Sequence, residues 1–599
     1  MNENPTTPAT GDGSKELLLF QMGPVQEFIA QARSTRDLWS GSYLLSWLVA
    51  HAIVAAWKAK GGHVGFDDMV MPSLRRDDNP LIFALMDQKS FVSDEEVGKA
   101  LIPNLPNRFA MLVPPGTGKI RAEDAAEAID IELGNIGKAV WTWLEDHGAK
   151  PEWEARFDAQ IKAFPQTTWA VHQWDPKKES FDKAWDAVND ALAARRNTRD
   201  FRQWNPICKD AAVKDSLSGK EECIGDEDFW KALRENRLFN KASGHVYGAM
   251  NLIKRLWCHV DDADVDANYL GTHLVFKNWQ IAKALAVKSL PEIAAKNSDS
   301  AVPYVAVLAF DGDHMGELVD KQKMVGQEGI RGISAALSGF ALGQVPEIVR
   351  EVKKHDGYLI YAGGDDVLAI LPSSKAVACA EAIREAFHSA GDFNLDGSCG
   401  IAVGHFKAPL QMLVKSAQRM EGVAKNRYGR GALAIAVYKR SGEIIEWGTK
   451  WKSDSLALMG KVTEFSSEGK LSGRFPYALA ALLQPYELAS LKKPPQLDKQ
   501  GILVEPGEFA AFKKVSLAEV SHVLERQGSN LGKDERGDFL ALVEKHFDAV
   551  ANGVKNQTSH IVGRELTEEE KEGRLEVHPD DFLGLFLVET FLNRKREGR

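Results

Sequence analysis

"YAGGDDVLAI", residues 361–370, places two glycines and two aspartates between strand-like stretches. The flanks, Gly357 to Ala362 and Val367 to Leu371, are predicted as the two strands of a hairpin with the acids at its tip. Gly363 and Gly364 lack a Cβ, so they take positive φ freely and let a polyphosphate approach the backbone. Asp365 and Asp366 repel each other unless a cation or solvent screens them. A hard divalent ion takes oxygen ligands and keeps company with substrate phosphates, which makes the tip a candidate metal site. Alone, the four residues equally describe an ordinary turn, because Gly and Asp are common there.

One loop rarely completes such a site, so the neighbouring sequence has to supply another acid. "VAVLAFDGDHMGELV", residues 305–319, does so: Asp311 and Asp313 follow directly on a strand. From "YVAVLAF" at 304 to "GALAIAVYK" ending at 439, the predicted order is β-α-β-β-α-β-α-β. It contains a ferredoxin-like core, the architecture of polymerase palms and nucleotide cyclases. In that fold the first strand lies beside the hairpin, so Asp311 would face Asp365 and Asp366 across the sheet end. This is the layout of a two-metal site holding Mg²⁺ or Mn²⁺ ions ~3.5–4 Å apart. One ion would lower the pKa of an attacking hydroxyl, and both would stabilise the transferring phosphate and departing pyrophosphate. Asp313 either joins these ligands or caps the helix after it.

Other residues suit a nucleotide. Lys425, in "AKNRYGRG" at 424–431, stands at a helix end, where it reaches a triphosphate or balances the helix dipole. Ser334 and Ser338 lie four apart on one helix face, placed to line a base or ribose pocket, though small polar residues are equally at home on a plain helix surface.

Outward from this core the class is α/β (α+β). "ELLLFQM" and "NRFAMLVPP" read as strands, with long apolar-periodic helices after each. The expected parts are a leader (1–15), a first palm-like domain (16–200), a helical middle domain (201–300), the second palm (301–440) and a helical C-terminal domain (441–599). The net charge of −10 over 599 residues is not that of a stand-alone nucleic-acid binder. Local basic patches remain at "QARSTRD" (31–37), "ARRNTRDFR" (194–202) and "NRKREGR" (593–599). Five scattered cysteines without a CxxC pair fit a reducing compartment. No apolar run reads as a membrane span and no signal pattern opens the chain, so a cytoplasmic location is expected. "VPPGTGKI" (113–120) imitates a phosphate loop but has Ile120 where Ser or Thr would bind Mg²⁺. Cys208, Cys223, His245, Cys258 and His259 include no close pair, a poor basis for zinc.

Together, "GPVQEFIAQARSTRDLWSGSYLLSWL", "FDGDHMGEL", "ISAALSGFAL", "YLIYAGGDDVLAILP" and "GALAIAVYKRSGE" resemble the large palm-domain subunit of type III-B (Cmr) CRISPR effector complexes. The resemblance spans roughly residues 17–443. It implies two ferredoxin-like palm domains, a middle domain often carrying zinc, and a helical C-terminal domain. It also implies partners: the other subunits of the complex, a guide RNA and a target RNA. The implied activity is conversion of ATP to a cyclic oligoadenylate when guide and target pair. Asp311, Asp365 and Asp366 match the family's metal-binding acids, and Gly363 and Gly364 its phosphate-approach glycines. Many relatives begin with an HD nuclease domain; the start of this chain shows no His-Asp cluster, so DNase activity is not expected. The paired cysteines of the middle domain are largely missing, and burial is expected to replace zinc. Some relatives join a nucleotide to S-adenosylmethionine instead, and these residues do not separate the two acceptors. A silent scaffold and a stand-alone dinucleotide cyclase are the competing readings.

Overall fold

The computed structural model describes residues 14–75, 79–87, 94–198, 213–236, 238–239, 244–257, 288–297, 302–350, 355–483, 496–497, 503–504, 507–527, 530–551, 554–556, 574–576 and 580–593. Cys208, Cys258 and His259 lie outside them, as do nearly all of the leader and most of the last basic patch. The chain divides into two compact units: residues 1–287 with 314–344 and 360–364, and residues 288–313 with 345–359 and 365–599.

The first unit is built on β1 (Lys15–Gly23), α1 (Thr35–Lys58), β2 (Met69–Met71), β3 (Arg108–Val113), α2 (Gly118–Asp146), β4 (Gln166–Trp174) and α3 (Phe181–Asn197). Its sheet runs β2-β3-β1-β4, antiparallel throughout, which is the ferredoxin-like order. α1 starts at a capping box in which Ser34 and Asp37 satisfy each other's backbone N–H groups. Leu17, Leu19, Ala110 and Leu112 on one sheet face pack against Phe181, Ala184, Trp185 and Val188 of α3. The phosphate-loop look-alike is closed from within: the Gly118 N–H donates to the Glu16 carboxylate at 2.8 Å. α4 (Met315–Lys323) and α5 (Gln327–Gly339) belong to this unit. Ile330 joins its core, and Lys323 pairs with Asp186 at 2.6 Å.

The second unit contains the fold predicted around the hairpin. The strands of its sheet are β5 (Tyr304–Gly312), β6 (Tyr358–Ala362, of which 360–362 group with the first unit), β7 (Asp366–Pro372), β8 (Gly397–His405), β9 (Ala432–Tyr438) and β10 (Ile444–Lys450). α6 (Ala376–His388) precedes β8, and α7 (Leu410–Asn426) joins β8 to β9. The order β10-β9-β8-β5-β7-β6 contains the same ferredoxin-like arrangement, extended by β9, parallel to β8, and by β10. The sheet thus runs past residue 440. Both sheets end their first-to-third-strand ladder in a comparable pair: Gln21 opposite Arg108 in one, Asp311 opposite Asp366 in the other.

The C-terminal helices of the second unit include α8 (Asp454–Ser467), α9 (Lys533–Ala551) and α10 (Asp581–Leu592). Phe465, Phe475, Phe539 and Phe586 form a chain of ring contacts there. Gly584 brings α10 against Trp447 of β10: a Cβ on it would lie 3.2 Å from the Glu446 carbonyl. Among the described residues two helical stretches are long and apolar enough to cross a membrane, 35–58 and 327–349. This corrects the expectation that no run reaches that length. The apolar content of α1 has another physical reason, since 83% of its most hydrophobic window is buried inside the protein.

Glu589 of α10 is fully buried and accepts from Asn593 Nδ2 at 3.0 Å. Burial pushes its carboxyl up to about 7. Between pH ~4.5 and 7 the folded chain keeps a proton there that the unfolded chain has released. Stability from this group therefore falls as pH rises through that window and is flat above it. Glu589→Gln is expected to be more stable than the parent at pH 8, by up to about 3 kcal/mol, and no different at pH 4.5. Thermal melts at the two pH values check this.

Candidate metal and nucleotide site at the end of the second sheet

β5 is buried along its apolar run and emerges at Asp311. In the ladder Asp311 lies opposite Asp366 on one side and Ser398 on the other. The hairpin is tied to this strand end by the Gly312 N–H, which donates to the Asp365 carbonyl at 3.0 Å. Asp311 and Asp366 thus share a rung of adjacent strands, with Asp365 in the turn just before β7. Burial, reinforced by repulsion from Asp311, pushes Asp365 up to about 6. Gly364 holds φ +100°, which an L side chain rarely adopts, so the tip requires glycine there. Gly363 and Gly364 adjoin the acids in sequence but cluster with the first unit.

α7 approaches β8 closely because Gly400 has no side chain. A Cβ there would lie 2.1 Å from both the Ala417 carbonyl oxygen and the Glu421 nitrogen. The last turns of α7 carry Glu421 and Lys425. Lys425 Nζ contacts Asp311 Oδ2 and pairs with Glu421 Oε1 at 2.7 Å. Burial works against the ammonium, yet Asp311 and Glu421 hold its pKa above the ordinary lysine value. Burial also raises Glu421, against the pull of Lys425.

Among the described residues no three His, Cys, Asp or Glu side chains already stand as a metal-binding group. Asp311 faces an ammonium instead. The donor set nevertheless fits a hard divalent ion: oxygen-only ligands, an excess of acids over the single lysine, and a carboxyl whose charge is penalised until a cation arrives. Asp311, Asp365 and Asp366 would hold it.

Asp313, expected either among the ligands or as a helix cap, is committed elsewhere. Its carboxylate is almost fully buried and accepts from Ser398 Oγ at 2.8–2.9 Å and from the Gly431 N–H at 2.7 Å. The helix that follows it shows no side-chain cap. Ser334 Oγ accepts from the Ser73 N–H at 2.8 Å within the first unit, and Ser338 is half-buried one turn on. The structure thus brings Asp311, Asp366 and Lys425 together with Asp365 close by, whereas Ser334 and Ser338 belong to the other unit. Glu421 was missed in the sequence, although its i,i+4 spacing to Lys425 signals an ion pair on a helix face. Of the zinc candidates still described, buried Cys223 lies 3.7 Å from the Gly225 carbonyl and His245 contacts the Arg33 guanidinium.

Two stretches of the chain match known family models. Residues 304–434 match the family model of the Cas10/Cmr2 second palm domain, and residues 17–142 that of the CRISPR-associated protein Cmr2 N-terminal region. Over these two stretches the chain is similar to the Cas10/Cmr2 family. A curated relative, the CRISPR system Cmr subunit Cmr2 of Pyrococcus furiosus, is 25% identical over 555 residues, covering 71% of this chain and 62% of the relative. The chain therefore spans under two thirds of that Cmr2's length. Among solved structures, the apo type III-B Cmr-beta complex contains a chain similar at TM-score 0.59 and 13% identity, with 86% of this chain and 77% of that one covered. The Cmr-beta complex bound to cognate target RNA gives TM-score 0.57 at 12% identity, covering 86% and 79%. At such identity these likenesses speak to the fold. The region matched to the second-palm model, 304–434, includes every acid of the site.

Proposed function

We propose that this chain is the nucleotidyltransferase subunit of a type III CRISPR effector complex, making a cyclic oligoadenylate from ATP with Mg²⁺ or Mn²⁺. The carrying observation is Asp311 opposite Asp366 in the ladder, with desolvated Asp365 beside them. Bound divalent ions would supply activation of the attacking hydroxyl and stabilisation of the phosphoryl charge. This chain's own residues hold and neutralise: the three acids orient the ions, and Lys425, once exchanged from Asp311, meets the triphosphate as a point charge. Gly364 keeps the tip backbone clear for phosphates. The proposed partners are the other complex subunits, a guide RNA and a target RNA, in the cytoplasm; the related Cmr-beta complex is described as bound to cognate target RNA.

Conjugation of a nucleotide to S-adenosylmethionine would use the same acids, so acceptor choice is part of the test. The assembled complex is given α-labelled ATP and Mg²⁺, with and without target RNA and S-adenosylmethionine. The expected result is an RNA-dependent labelled oligoadenylate formed without S-adenosylmethionine. A product that appears only with S-adenosylmethionine assigns the other acceptor. No product despite bound target RNA leaves a scaffold.

A further inference from the structure

The second aspartate of the "DGD" stretch sits where a ligand is expected, but its geometry describes another task. Asp313 is 2% exposed at its side chain, and its backbone N–H is fixed to the Asp396 carbonyl at 2.8 Å. Besides Ser398 and the Gly431 N–H, it faces the Arg430 guanidinium at 3.5 Å. Gly429, Arg430 and Gly431 take φ of +64°, +62° and +52°, so three consecutive residues are left-handed, one of them an arginine. A non-glycine residue in this region persists only where its surroundings hold it.

That turn closes the helix that carries Lys425. The Arg430 N–H donates to the carbonyls of Ala424 and Lys425 at 3.2 and 3.1 Å, covering two oxygens that the end of α7 would otherwise leave open. Two charged side chains brace the turn, buried Asp313 and half-buried Lys450. Asp313 accepts from Gly431 and faces Arg430. Lys450 donates to the carbonyls of Gly429 and Arg430 at 2.6 and 2.5 Å. Asp313 is two residues from Asp311 on the chain, so a single strand end holds both the acid that meets Lys425 and the anchor of the helix end presenting it.

We infer that Asp313 is a positioning residue that fixes the left-handed turn 429–431 and so holds Lys425 against Asp311 and Glu421, and that it is not a metal ligand. The inference draws on the proposed nucleotidyl-transfer reading only for Lys425's role toward substrate; the positioning itself is tested without ATP.

The test uses the full chain with Asp313→Asn and Asp313→Ala. Lysine acylation is followed by mass spectrometry, with Lys513, paired to Asp548 and Glu544 elsewhere in the unit, as internal control. In Asp313→Ala, Lys425 is expected to react about tenfold faster, as for loss of one charge-assisted hydrogen bond, with Lys513 unchanged. Asp313→Asn, which keeps one acceptor oxygen for Ser398 and Gly431 to share, shows a smaller increase. Global loss of fold would accelerate both lysines, in which case the asparagine variant decides. Mn²⁺ titration by electron paramagnetic resonance forms the second arm: Asp313→Asn stays within about threefold of the parent, while Asp311→Asn weakens binding about tenfold or more. Unchanged Lys425 reactivity in a folded variant overturns the inference. So does a Mn²⁺ loss in Asp313→Asn equal to that in Asp311→Asn. If the chain proves a scaffold, only the assay with ATP fails, and the acylation result stands.

Discussion

Asp365→Asn is expected to yield a complex that is stabler and nearly inactive. The variant keeps the shape of the hairpin and removes one of the three carboxylates. Burial and Asp311 both disfavour the charge on Asp365. Without metal at pH 7.5 or above, the neutral amide should therefore stabilise the second unit by about 1–3 kcal/mol. Under the proposed function, in which the three acids would hold ions that stabilise entering and leaving oxygens, the change should slow oligoadenylate formation about 10³-fold, some 4 kcal/mol of barrier. Melting in EDTA and product formation from labelled ATP report the two effects separately. A slower enzyme with lowered melting temperature would count against an acid kept at a cost to stability. An active, stabilised variant would remove Asp365 from the ligand set.

Gly400→Ala carries the largest expected effect on stability. Its new methyl meets backbone, the Ala417 oxygen and the Glu421 nitrogen, and neither can rotate away. α7 must lift from β8, at a cost of about 3 kcal/mol or more. The same displacement moves Glu421 and Lys425, so Mn²⁺ affinity should change along with melting temperature. Gly404→Ala is the control. Its methyl would meet Leu413 Cδ2 at 2.6 Å, the end of a side chain that can adopt another rotamer, so a milder loss is expected. Equal losses in the two variants would show that the close helix approach at Gly400 is not special.

Much of the fold was legible because apolar periodicity and glycine-aspartate punctuation agree in the second palm. The predicted hairpin strands, 357–362 and 367–371, lie within about one residue of β6 and β7. Asp311 was found because strand order alone puts the first strand beside the third. Asp313 could not be separated from it in this way. Two acids one residue apart share a strand end, and only tertiary partners, Ser398 at a distance of 85 positions and Gly431 at 118, distinguish ligand from anchor. The serine pair illustrates the converse. Helical spacing placed Ser334 and Ser338 on one face correctly, but spacing does not say which neighbour that face meets, and Ser334 meets Ser73. The grouping of 314–344 with the first unit is also invisible to local pattern, since it depends on contacts such as Lys323 with Asp186.

The matching sheets have an evolutionary consequence. Had one ancestral palm doubled within a gene, the two copies would be free to specialise, and the terminal ladder pairs are one place where the two sheets differ. Where the second copy sets Asp311 opposite Asp366, the first sets Gln21 opposite Arg108. The neutral-cationic pair cannot be reached from the acidic pair without giving up a cation site, nor the site regained by one substitution, because a lone restored acid would face arginine. Such a step works as a ratchet. Once such a step were crossed, the first copy would have no route back to a paired-acid end by a single change.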